Sequence, residues 1–209
     1  MPFICLLLSG AALLVNGLAT LGRLPRRDAA VFSLVLGGTQ LVLGIVHLAI
    51  SGTGAEALLT AAGMFLFGLT YVYAGLDGLL GLGSKGLGWF CGMVAFAGLL
   101  LAGEWLGADP LLAVLWVCWS VLWGLLFASA ALGATRLDPF TGWALVLASQ
   151  ATATVPAFLG LAGLWPRSVW AAWPAAVLVA GLFAVGRVLA RRGHGSPHRA
   201  SAGEHVSAR

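Results

Sequence analysis

Seven apolar segments, each long enough to cross a lipid bilayer, occupy almost the whole chain. They lie at about 2–22, 29–50, 57–80, 87–105, 110–133, 140–163 and 168–190. Charged side chains make up only 9% of the residues, against roughly 25% in soluble domains. Because unpaired backbone groups cannot face hydrocarbon, the segments must be helical. The sequence therefore predicts an all-α integral membrane protein, a seven-helix transmembrane bundle.

Positive charge is shared unequally between the two sides of the predicted bundle. Cytoplasmic loops of membrane proteins are enriched in Lys and Arg. With the N-terminus outside, ten of the eleven basic residues fall on the inner side and only Arg167 falls outside. We therefore expect an external N-terminus, a cytoplasmic C-terminus and multi-pass insertion in the cell (inner or plasma) membrane. The first segment has no basic residue before it and Arg23 after it, so we expect a retained span rather than a signal peptide.

The chain divides into a transmembrane domain, 1–190, and a polar tail, 191–209, rich in Gly, Ser and His, which we expect to be disordered and cytoplasmic.

The basic residues lie between apolar runs rather than on one stripe, so no nucleic-acid partner is expected. Neither a metal site nor a redox pair is indicated, because Cys5, Cys91 and Cys118 are isolated in apolar segments. No nucleophile–base pair is visible, so we expect neither an enzyme nor a cofactor.

Three tryptophans in the fifth segment share one helix face. Trp116, Trp119 and Trp123 stand at i, i+3 and i+7, which places them within about 60° of one another on a helix. Most membrane tryptophans lie at the water interface, yet Trp123 lies at mid-depth of its segment. Two readings follow from the pattern: a packing seam, or one wall of a narrow slot for a flat, uncharged solute.

Neutral polar residues in four other segments also recur at helical spacing, so each set lies on one face. The sets are Ser9, Leu13, Asn16 and Thr20; Ser33, Gly37, Gln40, Gly44 and His47; Phe67, Thr70, Tyr71 and Ala74; and Trp143, Leu147, Gln150 and Thr154. A single such residue is readily explained by one helix–helix hydrogen bond. Several sets together with aromatic residues favour a lined pathway, since a neutral amide loses ~2–7 kcal/mol on entering an apolar medium without hydrogen bonds.

Ionisable residues are nearly absent from the segments. Asp77 lies toward the inner end of the third segment, and Glu104 lies at the outer end of the fourth. Proton-coupled carriers usually keep such groups within the bundle. This distribution argues against ion coupling.

Three segments resemble signatures of the AmiS/UreI family of urea and amide channels. Phe67–Ala74 (FGLTYVYA) resembles the family's third-span signature, and Leu115–Trp123 (LWVCWSVLW) resembles its fifth-span signature. Phe140–Trp143 (FTGW), followed by Val155–Ala157, resembles its sixth span. The similarity covers about residues 1–164, and the aromatic fifth-span motif is the specific part.

The resemblance implies a homohexamer in the lipid bilayer, with a separate pore for a small neutral solute in each protomer. It implies aromatic and aliphatic constrictions, and it places Leu6, Leu13 and Asn16 of the first span in the same lumen. Together with the polar sets, the predicted pore-lining residues are Leu6, Ser9, Leu13, Asn16, Phe67, Thr70, Tyr71, Trp116, Trp119, Leu122, Trp123, Trp143 and Gln150.

The chain departs from the acid-gated urea channels of that family at three places. Those channels carry a long, His-bearing outer loop between spans two and three, where this chain has only Ser51–Glu56. Their lumenal sixth-span glutamate aligns with Ala148. The segment 168–190 exceeds their six spans and favours the amide-transporter branch. We therefore expect no acid gating.

The sequence thus favours a passive membrane channel for urea or short aliphatic amides. Two alternatives stay open at this stage. One is a structural or sensory membrane subunit whose aromatic residues only pack, and the other is a proton-coupled amide carrier.

Overall fold

The computed structural model describes residues 1–193, and the long elements within them are helices. In this part of the chain, seven helical stretches are long and apolar enough to cross a membrane, which confirms the predicted architecture. They are α1 (Pro2–Thr20), α2 (Arg26–Ser51), α3 (Ala55–Leu80), α4 (Lys85–Trp105), α5 (Pro110–Ala130), a composite sixth span (Thr135–Leu161) and α8 (Val169–Gly193).

Local sequence signals explain where several helices begin and end. Pro110 opens α5, where a missing N–H is tolerated, and the carboxylate of Asp109 accepts a hydrogen bond from the Leu112 N–H at 3.0 Å. Gly81 ends α3 in the left-handed conformation at φ 67°. Asp77 then accepts a hydrogen bond from the Ser84 N–H at 2.8 Å, which fixes the turn into α4.

The sixth span is a helix interrupted by a wide turn, a feature that the sequence pattern did not predict. It consists of a short 3₁₀ turn, then α6 (Asp138–Ala148), a π-helical segment (Ser149–Thr154) and α7 (Val155–Leu161). Pro156 has no N–H, so it cannot donate to the helix turn before it. The chain responds with i→i+5 bonding, as in the Val155 N–H to Gln150 carbonyl bond.

Six spans form a closed ring. Along the chain, α1 packs on α2, α2 on α3, α3 on α4 and α4 on α5; α6 then packs on both α5 and α1. The buried apolar core lies inside this ring and is rich in aromatic side chains from α3 and α5. The interior of the ring is therefore where a functional site can be built.

The last helix lies outside the ring. Helix α8 packs on α5 and α6, for example through Phe140 and Phe183, whose ring centroids are 6.3 Å apart. Its far face is apolar and exposed, with Trp170 81% accessible. Residues 191–193, predicted as the start of the disordered tail, continue this helix instead. The rest of the predicted tail, 194–209, lies outside the described residues.

Helices α2 and α3 come into close backbone contact at Gly37, but not at the adjacent Gly38. A β-carbon at Gly37 would lie 2.6 Å from the Val72 nitrogen and 2.7 Å from the Gly68 carbonyl oxygen. A β-carbon at Gly38 would meet nothing within 4 Å. Because lipid gives little reward for burying large apolar side chains, such close approach is how membrane helices gain packing energy.

The adjacent glycines allow a matched test of this contact. We expect Gly37→Ala to force α2 and α3 apart and to destabilise the protein by about 1–3 kcal/mol, since backbone atoms cannot move aside as a side chain can. Gly38→Ala should be neutral or slightly stabilising, because alanine favours the helix. Thermal unfolding of both variants in the same detergent checks this, and equal melting temperatures would contradict the packing argument.

Candidate functional site

Two cavities open from opposite ends of the helix ring and approach each other at its centre. The N-terminal cavity, at the end where the chain begins, has a volume of about 470 Å³. The basic-end cavity, at the end that carries Arg26, has a volume of about 560 Å³. Phe67 and Trp119 line both cavities, so these two side chains stand between them.

The residues between the cavities form one aromatic cluster, in which Phe67 of α3 is central. Its ring centroid lies 4.6 Å from that of Trp123, 5.1 Å from Trp119 and 5.9 Å from Trp116. The contacts with Trp119 and Trp123 are edge-on, which is a favoured arrangement for aromatic pairs. Phe67 and these three tryptophans are each 7% accessible or less. The shared helix face predicted for the tryptophans is thus turned toward α3.

Two threonines hold the indole rings in place. The Trp119 N–H donates to Thr152 Oγ1, and the Trp123 N–H donates to Thr70 Oγ1, both at 3.2 Å. Each threonine hydroxyl in turn donates to a carbonyl of its own helix, at 2.7 Å for Thr70 and 2.8 Å for Thr152. The donors of both indoles are therefore used within the protein.

Part of the predicted polar lining instead joins α1 to α2. The Gln40 amide nitrogen donates to the Cys5 carbonyl and to Ser9 Oγ, each at 2.8 Å. The Asn16 amide nitrogen donates to Ser33 Oγ at 2.8 Å. Ser9 and Asn16 also line the cavities, whereas Gln40 and Ser33 line neither. These two residues of α2 thus fix the orientation of lining residues on α1.

Charged side chains line the cavities only near the helix ends. At the N-terminal cavity they are Glu56, Glu104, Asp109 and Arg167, and at the basic-end cavity they are Arg26, Asp77 and Asp138. Several have structural partners: the Trp165 N–H donates to Asp109 at 2.7 Å, and Ser129 donates to Asp138. The aromatic cluster between the cavities is uncharged.

Most of the predicted lining residues line one or both of these cavities, and two do not. Trp143 and Gln150 line neither. The Arg23 guanidinium lies over the Trp143 ring, 4.8 Å from its centroid, and Gln150 is exposed on the outside of the ring. The eleven residues that line a cavity are Leu6, Ser9, Leu13, Asn16, Phe67, Thr70, Tyr71, Trp116, Trp119, Leu122 and Trp123.

The cavity face of the sixth span was missed from the sequence. Thr141 and Leu145 line the basic-end cavity, and Thr152 binds the Trp119 indole. These residues stand at i, i+4 and i+11, a helical spacing as regular as that of the set that includes Trp143 and Gln150. The spacing could have pointed to this face, but nothing in it says which of two regular faces turns inward.

Comparison with known proteins places the chain in a family. A family model described as the AmiS/UreI family transporter matches residues 1–164, which ends before α8. A protein of Rhodococcus erythropolis described as transporter protein AmiS2 is 42% identical over 189 residues, covering 88% of this chain and 91% of that protein. A protein of Mycolicibacterium smegmatis described as an amidate substrates transporter is 38% identical over 160 residues, or 75% of this chain and 74% of that protein.

A solved structure supports the same assignment. The urea channel from Helicobacter pylori superposes with a TM-score of 0.72 at 28% identity, covering 79% of this chain and 100% of the channel chain. The family consists of membrane transporters rather than enzymes. The chain is therefore a multi-pass membrane protein that belongs to the AmiS/UreI family of transporters.

Proposed function

We propose that the protein is a passive channel for urea or short aliphatic amides, with the pathway running through the ring of each protomer. The observation that carries the proposal is the uncharged aromatic cluster around Phe67, which stands between two cavities open to opposite ends of the bundle. Family membership supports it, since relatives are described as a urea channel and an amidate transporter.

Selectivity for neutral planar solutes follows from the chemistry of the cluster. An ion entering it would lose its hydration shell, and among the described residues the cluster has no charged side chain to replace that shell. A planar amide can pass edgewise between the rings, with its N–H groups directed at aromatic faces. Because the Trp119 and Trp123 N–H groups are already bonded to threonines, they offer no strong trap for the solute.

The positions of the cavities favour a solute channel over a structural subunit and over a proton-coupled carrier. If the tryptophans only packed against other helices, no cavity would be expected on either side of them, yet both cavities reach Trp119. A proton-coupled carrier needs an ionisable group along the pathway, and the carboxylates that line these cavities lie near the ends of helices.

The direct test is solute flux into proteoliposomes. Vesicles with the purified protein should equilibrate urea or acetamide faster than protein-free vesicles, without a proton gradient and without accumulating the solute. A panel of urea, acetamide, formamide and glycerol then identifies the preferred solute. Equal rates with and without protein would remove the proposal, and uphill uptake abolished by an uncoupler would replace the channel with a carrier.

The central role of Phe67 gives a test of the selectivity mechanism. Phe67→Ala should join the two cavities and raise the flux of a bulkier amide, such as butyramide, relative to acetamide by about tenfold, because it removes the ring that touches three tryptophans. Losing a buried ring can destabilise a core by about 3–5 kcal/mol, so Phe67→Leu is the milder second variant. Phe96 lies on the outer face of α4 and is 63% exposed, so Phe96→Ala is the control and should leave the flux ratio unchanged.

Acid gating is not expected, because no histidine in the described residues lines the proposed pathway. Histidine is the side chain that ordinarily titrates between about pH 5 and 8. His47 lines neither cavity, and its Nδ1 lies 3.2 Å from Ser51 Oγ. Flux should therefore stay nearly constant between external pH of about 5 and 7.5. Activation of about tenfold on acidification, abolished by His47→Ala, would show that this residue biases a gate after all.

We also propose a homohexamer, as the family resemblance implies, with Gln150 at the contact between protomers. Gln150 is exposed near the middle of the sixth span, and among the described residues the only hydrogen bond of its side-chain amide is a donation to Ser149 Oγ at 3.2 Å. An amide facing hydrocarbon without partners loses free energy, whereas a neighbouring protomer can bond to it. The exposed Thr39, near the middle of α2 on the other side of α1, is a suitable partner.

Substitution at this face tests the assembly. Gln150→Leu should weaken each protomer contact by about 1 kcal/mol, so that the hexamer dissociates at a lower temperature in detergent while the protomer stays folded. Val185→Leu, on the exposed face of α8, is the control. A wild-type protein that is monomeric in lipid would exclude the hexamer, and a Gln150→Leu hexamer of unchanged stability would exclude this contact.

We propose the orientation that the basic residues indicate, with the N-terminal cavity external and the basic-end cavity cytoplasmic. A reporter fused after Arg209 should then be read on the cytoplasmic side.

A further inference from the structure

Thr141 carries a buried hydroxyl that has no hydrogen-bond partner in the part of the chain that the structure describes. The residue is 1% accessible and lines the basic-end cavity, but its Oγ1 has no hydrogen-bond partner. The other buried hydroxyls on the same cavity wall are bonded: Thr70 donates to the Leu66 carbonyl, and Tyr71 donates to the Ser9 carbonyl at 3.4 Å. Thr141 is thus the exception among them.

An unpaired buried hydroxyl calls for a physical explanation. Leaving such a group without a partner opposes folding, and buried polar groups are nearly always bonded to protein or to a bound molecule. Rotation of one side-chain bond is enough to direct a threonine hydroxyl from the helix toward the cavity that it lines. The missing partner can therefore come from a molecule in the basic-end cavity.

Asn16 offers the complementary group at the same level of the ring. Its amide nitrogen donates to the Ala12 carbonyl and to Ser33 Oγ, each at 2.8 Å, and within residues 1–193 no hydrogen bond to its Oδ1 is formed. The crossing of α1 and α6 keeps it near Thr141, since a β-carbon at Gly17 would lie 2.9 Å from the Gly142 carbonyl oxygen. Asn16 and Thr141, which precede these two glycines, both line the basic-end cavity.

We infer that Thr141 and Asn16 form a docking site for the amide group of the solute, a role that rests on the proposed function. The Thr141 hydroxyl donates to the solute carbonyl oxygen, and Asn16 Oδ1 accepts a hydrogen bond from a solute N–H. Urea and primary amides carry both groups in one plane. The site lies in the cavity that Phe67, Trp119 and Trp123 also line. It therefore offers the solute hydrogen bonds in place of those with water on its way to or from the rings.

The experiment compares Thr141→Val, which keeps the shape but removes the hydroxyl, with Thr141→Ser, which keeps the hydroxyl. Acetamide flux is measured against acetamide concentration in proteoliposomes, and osmotic water permeability is measured on the same vesicles. Thr141→Val should raise the half-saturating acetamide concentration by about three- to tenfold, as expected for one lost hydrogen bond, with water permeability unchanged. Thr141→Ser should stay within about twofold of wild type.

The controls separate the possible failures. Thr53→Val removes a hydroxyl from the exposed turn between α2 and α3, which lines neither cavity, and should not change the half-saturating concentration. If Thr141→Val does not fold, Thr141→Ala removes the same hydroxyl with less bulk. An unchanged half-saturating concentration in a conducting hydroxyl-free variant overturns the docking site and leaves the channel standing. A wild-type protein that conducts neither urea nor acetamide overturns the proposed function, and the docking site with it.

Discussion

The arrangement of the interior depends on two hydrogen bonds from indole N–H groups to threonine hydroxyls. The bond from Trp123 to Thr70 joins α5 to α3, and the bond from Trp119 to Thr152 joins α5 to the sixth span. An indole N–H left unpaired in an apolar interior would oppose folding, so each bond fixes both a ring and the distance between two helices. Phe67 lies among three tryptophans, and two of those rings are held in place in this way.

The wide turn of the sixth span is part of the same arrangement. Pro156 removes one backbone donor, the segment Ser149–Thr154 adopts π-helical bonding, and Thr152 lies within that segment. The Thr152 hydroxyl is thereby held between the Ala148 carbonyl and the Trp119 indole. A proline that looks like a defect in a membrane helix thus belongs to the segment that positions the aromatic cluster. By contrast, α8 contributes no residue to either cavity, in keeping with a family match that ends at residue 164.

The sequence could predict those features that depend on local periodicity. Hydropathy located the seven spans, and the spacing of Trp116, Trp119 and Trp123 located their shared face, because both signals lie within one helix. Periodicity alone cannot say which neighbour a face meets. On the sixth span it led to Trp143 and Gln150, whereas the cavity is lined by Thr141 and Leu145. The two faces differ by two residues, or about 200° around a helix, and both carry polar groups.

Most of the polar groups along the proposed pathway already donate their hydrogen bonds within the protein, so they cannot donate to a solute. Thr70, Thr152, Tyr71 and the Trp119 and Trp123 indoles donate within the protein, and the charged groups remain near the helix ends. A site with many free donors would bind an amide tightly and release it slowly, which opposes conduction. A site with none would leave the solute to lose its hydration without compensation. A buried, unpaired hydroxyl at Thr141 and an acceptor at Asn16 in the same cavity lie between these limits. Together they give the solute two hydrogen bonds without adding charge.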